Sequence, residues 1–218
     1  MRNHRFQDYL SADWADFQKR AFYFLKSAES AQSADHTSSI CEICVICGFS
    51  LELIVFLYLF GLPAAGKNYV GQVLAEEFGY TFYDGDLDLT DELRHAVRDG
   101  QPFTDPMRDR FYTALIERIA TLRRHHADLA FCQATFKERH RAQIAAAFPD
   151  VVFVLVAADE AVRLARLAHG GNPVTVEYAQ RIAAFFEPPQ HPHFIIRNEG
   201  GREEVIDQLR ALLAFLGE

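Results

Sequence analysis

From Leu51 onward the chain alternates between two hydrophobic rhythms. Short, nearly continuous apolar runs occur at Leu53–Phe60, Tyr80–Tyr83, Leu129–Gln133, Val151–Val156 and Phe194–Ile196. Between them the apolar residues recur at helical spacing. Val70, Val73, Leu74 and Phe78 share one face of a predicted helix, Asn68–Phe78, that Gly79 ends, and Phe111, Leu115, Ile119 and Leu122 mark a longer one. Thr90 opens a helix stopped by Gly100, Asp159 caps another, and further helices are expected over Lys137–Phe148, Val174–Phe186 and Glu203–Leu216. Strands apolar on both sides, separated by amphipathic helices, predict an α/β fold: an open parallel sheet of about five strands with helices on both faces. In such sheets ligands sit beyond the carboxyl ends of the strands.

The first strand runs into GLPAAGKN, Gly61 to Asn68. It matches the phosphate-loop pattern G-x-x-x-x-G-K-[ST] at its first seven positions. Gly61 and Gly66 let successive N–H groups converge on phosphate oxygens, the following helix adds the positive end of its dipole, and Lys67 supplies a mobile charge. The expected fold is therefore of the P-loop NTPase type. Gly61, Leu62, Pro63, Ala64, Ala65, Gly66, Lys67, Asn68 and Tyr69 are assigned to ATP, and Arg163 and Arg166, before the Gly-Gly-Asn-Pro stretch at 170–173, to a lid over it. Asn68 replaces the hydroxyl that normally holds Mg²⁺; an amide oxygen is a neutral, differently placed ligand, which leaves turnover in question.

Asp84 and Asp86 follow the second strand with one residue between them. In an extended segment both point the same way, Asp84 toward Mg²⁺ and Asp86 toward an acceptor hydroxyl. Arg108, Arg110, Lys137, Arg139 and Arg141 lie near the expected cleft in sequence, and guanidinium groups there suit an anionic acceptor.

These residues resemble the small P-loop sugar-acid kinases typified by gluconokinase, relatives of shikimate kinase and the nucleoside monophosphate kinases. The resemblance covers most of Leu53–Pro188. It rests on GLPAAGK, on Asp84-Gly-Asp86, on Gly100, Pro102, Thr104, Asp105 and Arg108, on Lys137 and Arg141 after the third strand, and on Phe185–Pro189. It implies that Asp86, Arg108, Lys137 and Arg141 face the acceptor, with Lys67, Asp86, Arg108 and Lys137 catalytic, and that Arg163 or Arg166 belongs to the lid. Departures fall at Met107, Phe111, His140 and Gln133-Ala-Thr-Phe, on the acceptor side.

Composition narrows the partners. The 218 residues allow one domain, 51–218, plus an N-terminal extension, 1–50, that is helical or disordered. A domain beginning near Leu51 is expected to be complete without it. The net charge of -8 excludes broad binding to nucleic acid or anionic membrane. Cys41, Cys44 and Cys47 have a spacing seen in metal sites, but Cys132 lies far away, so reduced thiols are the simpler reading. The apolar span Ile40–Gly61 is broken by Glu42 and Glu52 and ends in the phosphate loop, so a soluble, cytoplasmic protein without a secretory signal is expected.

The expected activity is ATP- and Mg²⁺-dependent phosphoryl transfer to a hydroxyl of a small, anionic, sugar-like acceptor of the gluconate type. The alternatives are a nucleotide or nucleic-acid-end kinase and a degenerate ATP-binding regulator. A small-molecule substrate is the main partner, and a homodimer is compatible with it.

Overall fold

The computed structural model of the protein describes residues 55–169 and 174–217. The extension 1–50, the Cys41, Cys44 and Cys47 run and the Gly-Gly-Asn-Pro break lie outside the described residues. The five strands are β1 (Phe56–Phe60), β2 (Thr81–Asp84), β3 (Leu129–Cys132), β4 (Val151–Ala157) and β5 (His193–Arg197). They form one sheet in the order β2-β3-β1-β4-β5, and every pairing is parallel. The helices are α1 (Lys67–Phe78), α2 (Asp91–Arg98), α3 (Asp105–Arg123), α4 (Glu138–Ala147), α5 (Glu160–Ala168), α6 (Val176–Ala183) and α7 (Arg202–Leu216).

Period-two alternation divides the core into two unlike halves. Leu57 and Leu59 of β1 join Ala130, Cys132, Val152, Val154 and Val156 on the face covered by α1 and α7. Phe56, Tyr58 and Phe60 face the other way, with Phe131 and Phe153, against α2, α3 and α4. On that second face Tyr83 stacks on Phe131 at 5.5 Å and Phe131 on Tyr58 at 5.7 Å, a ladder running across the sheet. Burial on both faces is why the strands read as unbroken apolar runs.

Helix starts follow threonine. Thr90, Thr104 and Thr175 each accept a hydrogen bond from a backbone N–H in the first turn of α2, α3 and α6, satisfying donors that the helix leaves open. Asp159 does not act as expected: it occupies the position before α5, but its side chain makes no capping bond. Its backbone N–H is held instead by Glu199 Oε1 at 3.1 Å. Among the described residues no helix is long and apolar enough to cross a membrane.

Candidate active site

The loop between β1 and α1 lies at the carboxyl end of the central strand. Gly61 has φ +144°, and a Cβ there would lie 2.4 Å from the Val156 carbonyl oxygen, so no side chain fits. Gly66 has φ +92° and gives no side-chain cap to α1. The first N–H groups of that helix are therefore open to an anion. Lys67 donates from Nζ to the Leu62 carbonyl at 3.2 Å, folded back over the loop.

The loop is braced from outside. Arg166 donates from Nη1 to the Ala64 and Ala65 carbonyls at 3.2 and 3.3 Å and from Nη2 to the Asn198 carbonyl at 2.6 Å. Asn198 Nδ2 donates to the Ala65 carbonyl at 2.9 Å. Asn198 follows β5 with no motif around it, and nothing in the sequence marks it as a loop support.

A cavity of about 740 Å³ extends from the loop. Pro63, Ala64, Gly66, Lys67 and Asn68 line its phosphate end together with Asp84, Asp86 and Arg166, and Arg108 lines its far part. Gly61, Leu62 and Ala65 shape the loop without lining the cavity, and Tyr69 is exposed. Asp86 stays open to solvent at the cavity, yet partial desolvation raises its carboxyl above its ordinary range, the Asp84 charge adds to the rise, and Lys67 and Gln133 oppose it. Such a carboxylate is poised to take a proton.

Asp84 ends β2, but Asp86 does not continue the extended segment. Gly85–Asp88 coil into a 3-10 turn, and Asp84 Oδ1 accepts the Asp86 N–H at 3.0 Å. Asp84 Oδ2 accepts from Asn68 Nδ2, and the Asn68 carbonyl oxygen accepts the Cys132 thiol at 2.9 Å. Asn68 thus ties α1 to the ends of β2 and β3. In this orientation its amide nitrogen, not its oxygen, faces the carboxylate. Asp84 fits as the single carboxylate that a hydrated Mg²⁺ with phosphate ligands requires, whereas Asn68 as placed adds no ligand. Among the described residues no group of three or more His, Cys, Asp or Glu side chains stands ready to hold a metal without phosphate.

Five of the expected cations are elsewhere. Arg141 is 0 % exposed. It donates from Nη1 to the Thr135 carbonyl at 2.8 Å, from Nη2 to the Glu187 carbonyl at 2.7 Å and from Nε to Glu138 Oε2 at 2.6 Å. Every nitrogen is engaged, Nε within α4, Nη1 with the turn before it and Nη2 with the chain after α6, so none reaches an acceptor. Lys137 precedes α4, pairs with Glu187 Oε1 at 3.1 Å and does not line the cavity. Arg163 is buried and donates to the Ala158 carbonyl at 3.3 Å, so the phosphate loop meets Arg166 alone of the two. The remaining candidates are also surface pairs, Arg110 with Glu92 and Arg139 with Asp109.

Arg108 does stay in the cavity wall. Its guanidinium lies 5.6 and 5.9 Å from the Phe103 and Phe136 rings, and Nε donates to the Phe103 carbonyl at 3.3 Å. Tyr112 and Tyr178 complete this largely aromatic wall with Gln133. Tyr112 and Tyr178 carry no mark in the sequence, where aromatic residues at helical spacing read as core, whereas Gln133 and Phe136 belong to the acceptor-side departure Gln133-Ala-Thr-Phe.

An all-parallel five-stranded sheet with a glycine loop between its central strand and first helix defines the fold of the P-loop kinases. No family model matches the sequence. Over 42 residues the chain is 50% identical to a shikimate kinase of Thiobacillus denitrificans, a stretch that covers 19% of this chain and 22% of that protein's length. Among solved structures, a gluconokinase from Sinorhizobium meliloti 1021 superposes with a TM-score of 0.66 at 24% identity, over 76% of this chain and 94% of the other. A sugar kinase from Janibacter sp. HTCC2649 gives 0.66 at 19% identity, over 73% and 94%. The APS kinase of Mycobacterium tuberculosis, solved with AMPPNP and APS, gives 0.50 at 20% identity, over 73% and 98%. At these identities the likeness is one of fold.

Proposed function

We propose that this chain is an ATP-dependent cytoplasmic kinase that phosphorylates a hydroxyl of a small, anionic, sugar-like acceptor, with gluconate-type sugar acids the first to try. The observation that carries the reading is a single cavity lined by Lys67, Asp86 and Arg108. The loop N–H groups and Lys67 hold and neutralise the phosphates, and Asp86, kept basic by partial desolvation, receives the proton as the acceptor oxygen bonds to the γ-phosphorus and the bond to the ADP oxygen breaks. Arg108 holds the anionic end of the acceptor, and the aromatic wall excludes water. Asp84 would hold Mg²⁺, which would supply further neutralisation of phosphate charge. Lys137 and Arg141 take no part in this scheme.

ADP release coupled to an optical readout, over a panel of sugar acids, shikimate and nucleosides, tests it; at least one acceptor is expected to stimulate release above the rate with ATP alone. One observation favours a second reading. The Asn68 amide presents a donor to Asp84, which suits a protein that binds ATP without turning it over. Calorimetric titration with ATP separates the two: unchanged affinity without Mg²⁺ and no release with any acceptor identify the non-catalytic binder.

A further inference from the structure

Beyond Asp86 and Arg108, the cavity holds a polar group that the proposed chemistry does not use. Gln133 lies one residue past β3, where alternation turns it to the aromatic side with Leu129 and Phe131. Its side chain is 4 % exposed. Oε1 accepts the Ala134 N–H at 2.6 Å, which fixes the amide so that Nε2 is the free end. That nitrogen is buried and has no hydrogen-bond partner. Gln133 and Asp86 line the same cavity. A buried donor left unpaired is costly, and a site containing one gains when a ligand supplies the acceptor.

We propose that Gln133 binds the acceptor of the reaction: Nε2 donates to the oxygen of the same hydroxyl whose proton goes to Asp86. A hydroxyl is the group that satisfies both neighbours at once, having a proton for the carboxylate and lone pairs for the amide. An alkylammonium at the same place has protons but no lone pair, so it leaves Nε2 unpaired. The site therefore selects an alcohol over the corresponding amine. The aromatic wall and the Arg108 guanidinium add an acceptor with an anionic group and an apolar face. This rests on the kinase reading for its chemistry but not for its binding contact.

The test uses the full chain and its Gln133→Met and Gln133→Glu variants. D-gluconate, shikimate and adenosine serve as probes, with thermal shift for binding and ADP release for turnover. At least one probe raises the wild-type melting temperature. For that probe Gln133→Met weakens binding about tenfold, and where turnover occurs it raises the acceptor KM similarly, leaving ATP affinity within about twofold. The deoxyamino analogue of the probe is refused by the wild type and gained by Gln133→Glu, whose carboxylate retains the acceptor for the Ala134 N–H while accepting from the ammonium. Probe binding that depends on Gln133 without any ADP release sinks the kinase reading and leaves this one standing. Unchanged probe affinity in Gln133→Met, a lowered melting temperature as its sole effect, or no probe bound by the wild type overturns it.

Discussion

At the phosphate end of the cavity, consecutive residues between β1 and α1 present mostly main chain, whereas at the acceptor end Asp86, Arg108, Gln133 and Tyr178 arrive from separate parts of the fold. A main-chain cradle needs glycines at fixed places and little else, so Gly61 and Gly66 announce it. A side-chain pocket depends on which way each residue turns. Arg108 and Arg141 are both arginines near the cleft in sequence, yet one lines the cavity and the other is locked in the core. Glycines in the sequence therefore locate the phosphate site better than charges locate the acceptor site.

The sharpest way to break this comparison is at Asp86. Asp86→Asn removes the proton acceptor, and kcat for the best acceptor is expected to fall about 10²–10⁴-fold; a loss under about tenfold returns Asp86 to a polar turn. The same substitution raises the melting temperature at neutral pH. The folded Asp86 carboxyl lies above its unfolded value, so its contribution to stability is full below the unfolded carboxyl range near about 3.9 and is lost as pH rises through the folded value. The wild type bears that loss at pH 7 and the asparagine does not. Turnover, which needs the ionised form, should decline as pH is lowered through the raised value.

Arg141→Met separates a structural arginine from an acceptor-binding one. It leaves Glu138 without its buried partner and is expected to cost about 3–5 kcal/mol in urea unfolding. A variant with wild-type stability and a raised acceptor KM would put Arg141 back at the substrate. Lys67→Met tests the other end of the cavity. It should lower kcat about 10²–10³-fold, the range for removing one donor from developing charge, with stability nearly unchanged because Lys67 makes a single bond to a loop carbonyl. Lys137→Met is the smallest. Its partly exposed pair with Glu187 is worth no more than about 1 kcal/mol, and the acceptor KM is expected to stay at the wild-type value; a tenfold rise would show that Lys137 swings into the site.

The sequence by itself determined the sheet, since strands apolar on both sides have no other stable home in a chain of alternating strand and helix patterns. It also determined the phosphate loop, because Gly61 and Gly66 stand where the backbone takes positive φ, and the start of α2 at Thr90, whose chemistry is local. Asp159, read by the same rule, makes no capping bond, and its own backbone N–H is held by Glu199 from beyond β5. The acceptor side was decided by tertiary structure alone. Helical spacing puts Arg141 and Glu138 on one face but does not say that Thr135 and Glu187 will turn their carbonyls toward it and make burial of the guanidinium tolerable. For Gln133 the sequence supplies an amide after a strand. The bond from Ala134 is local, but the cavity shared with Asp86 and the lack of a partner for the buried nitrogen exist only once the strands are side by side.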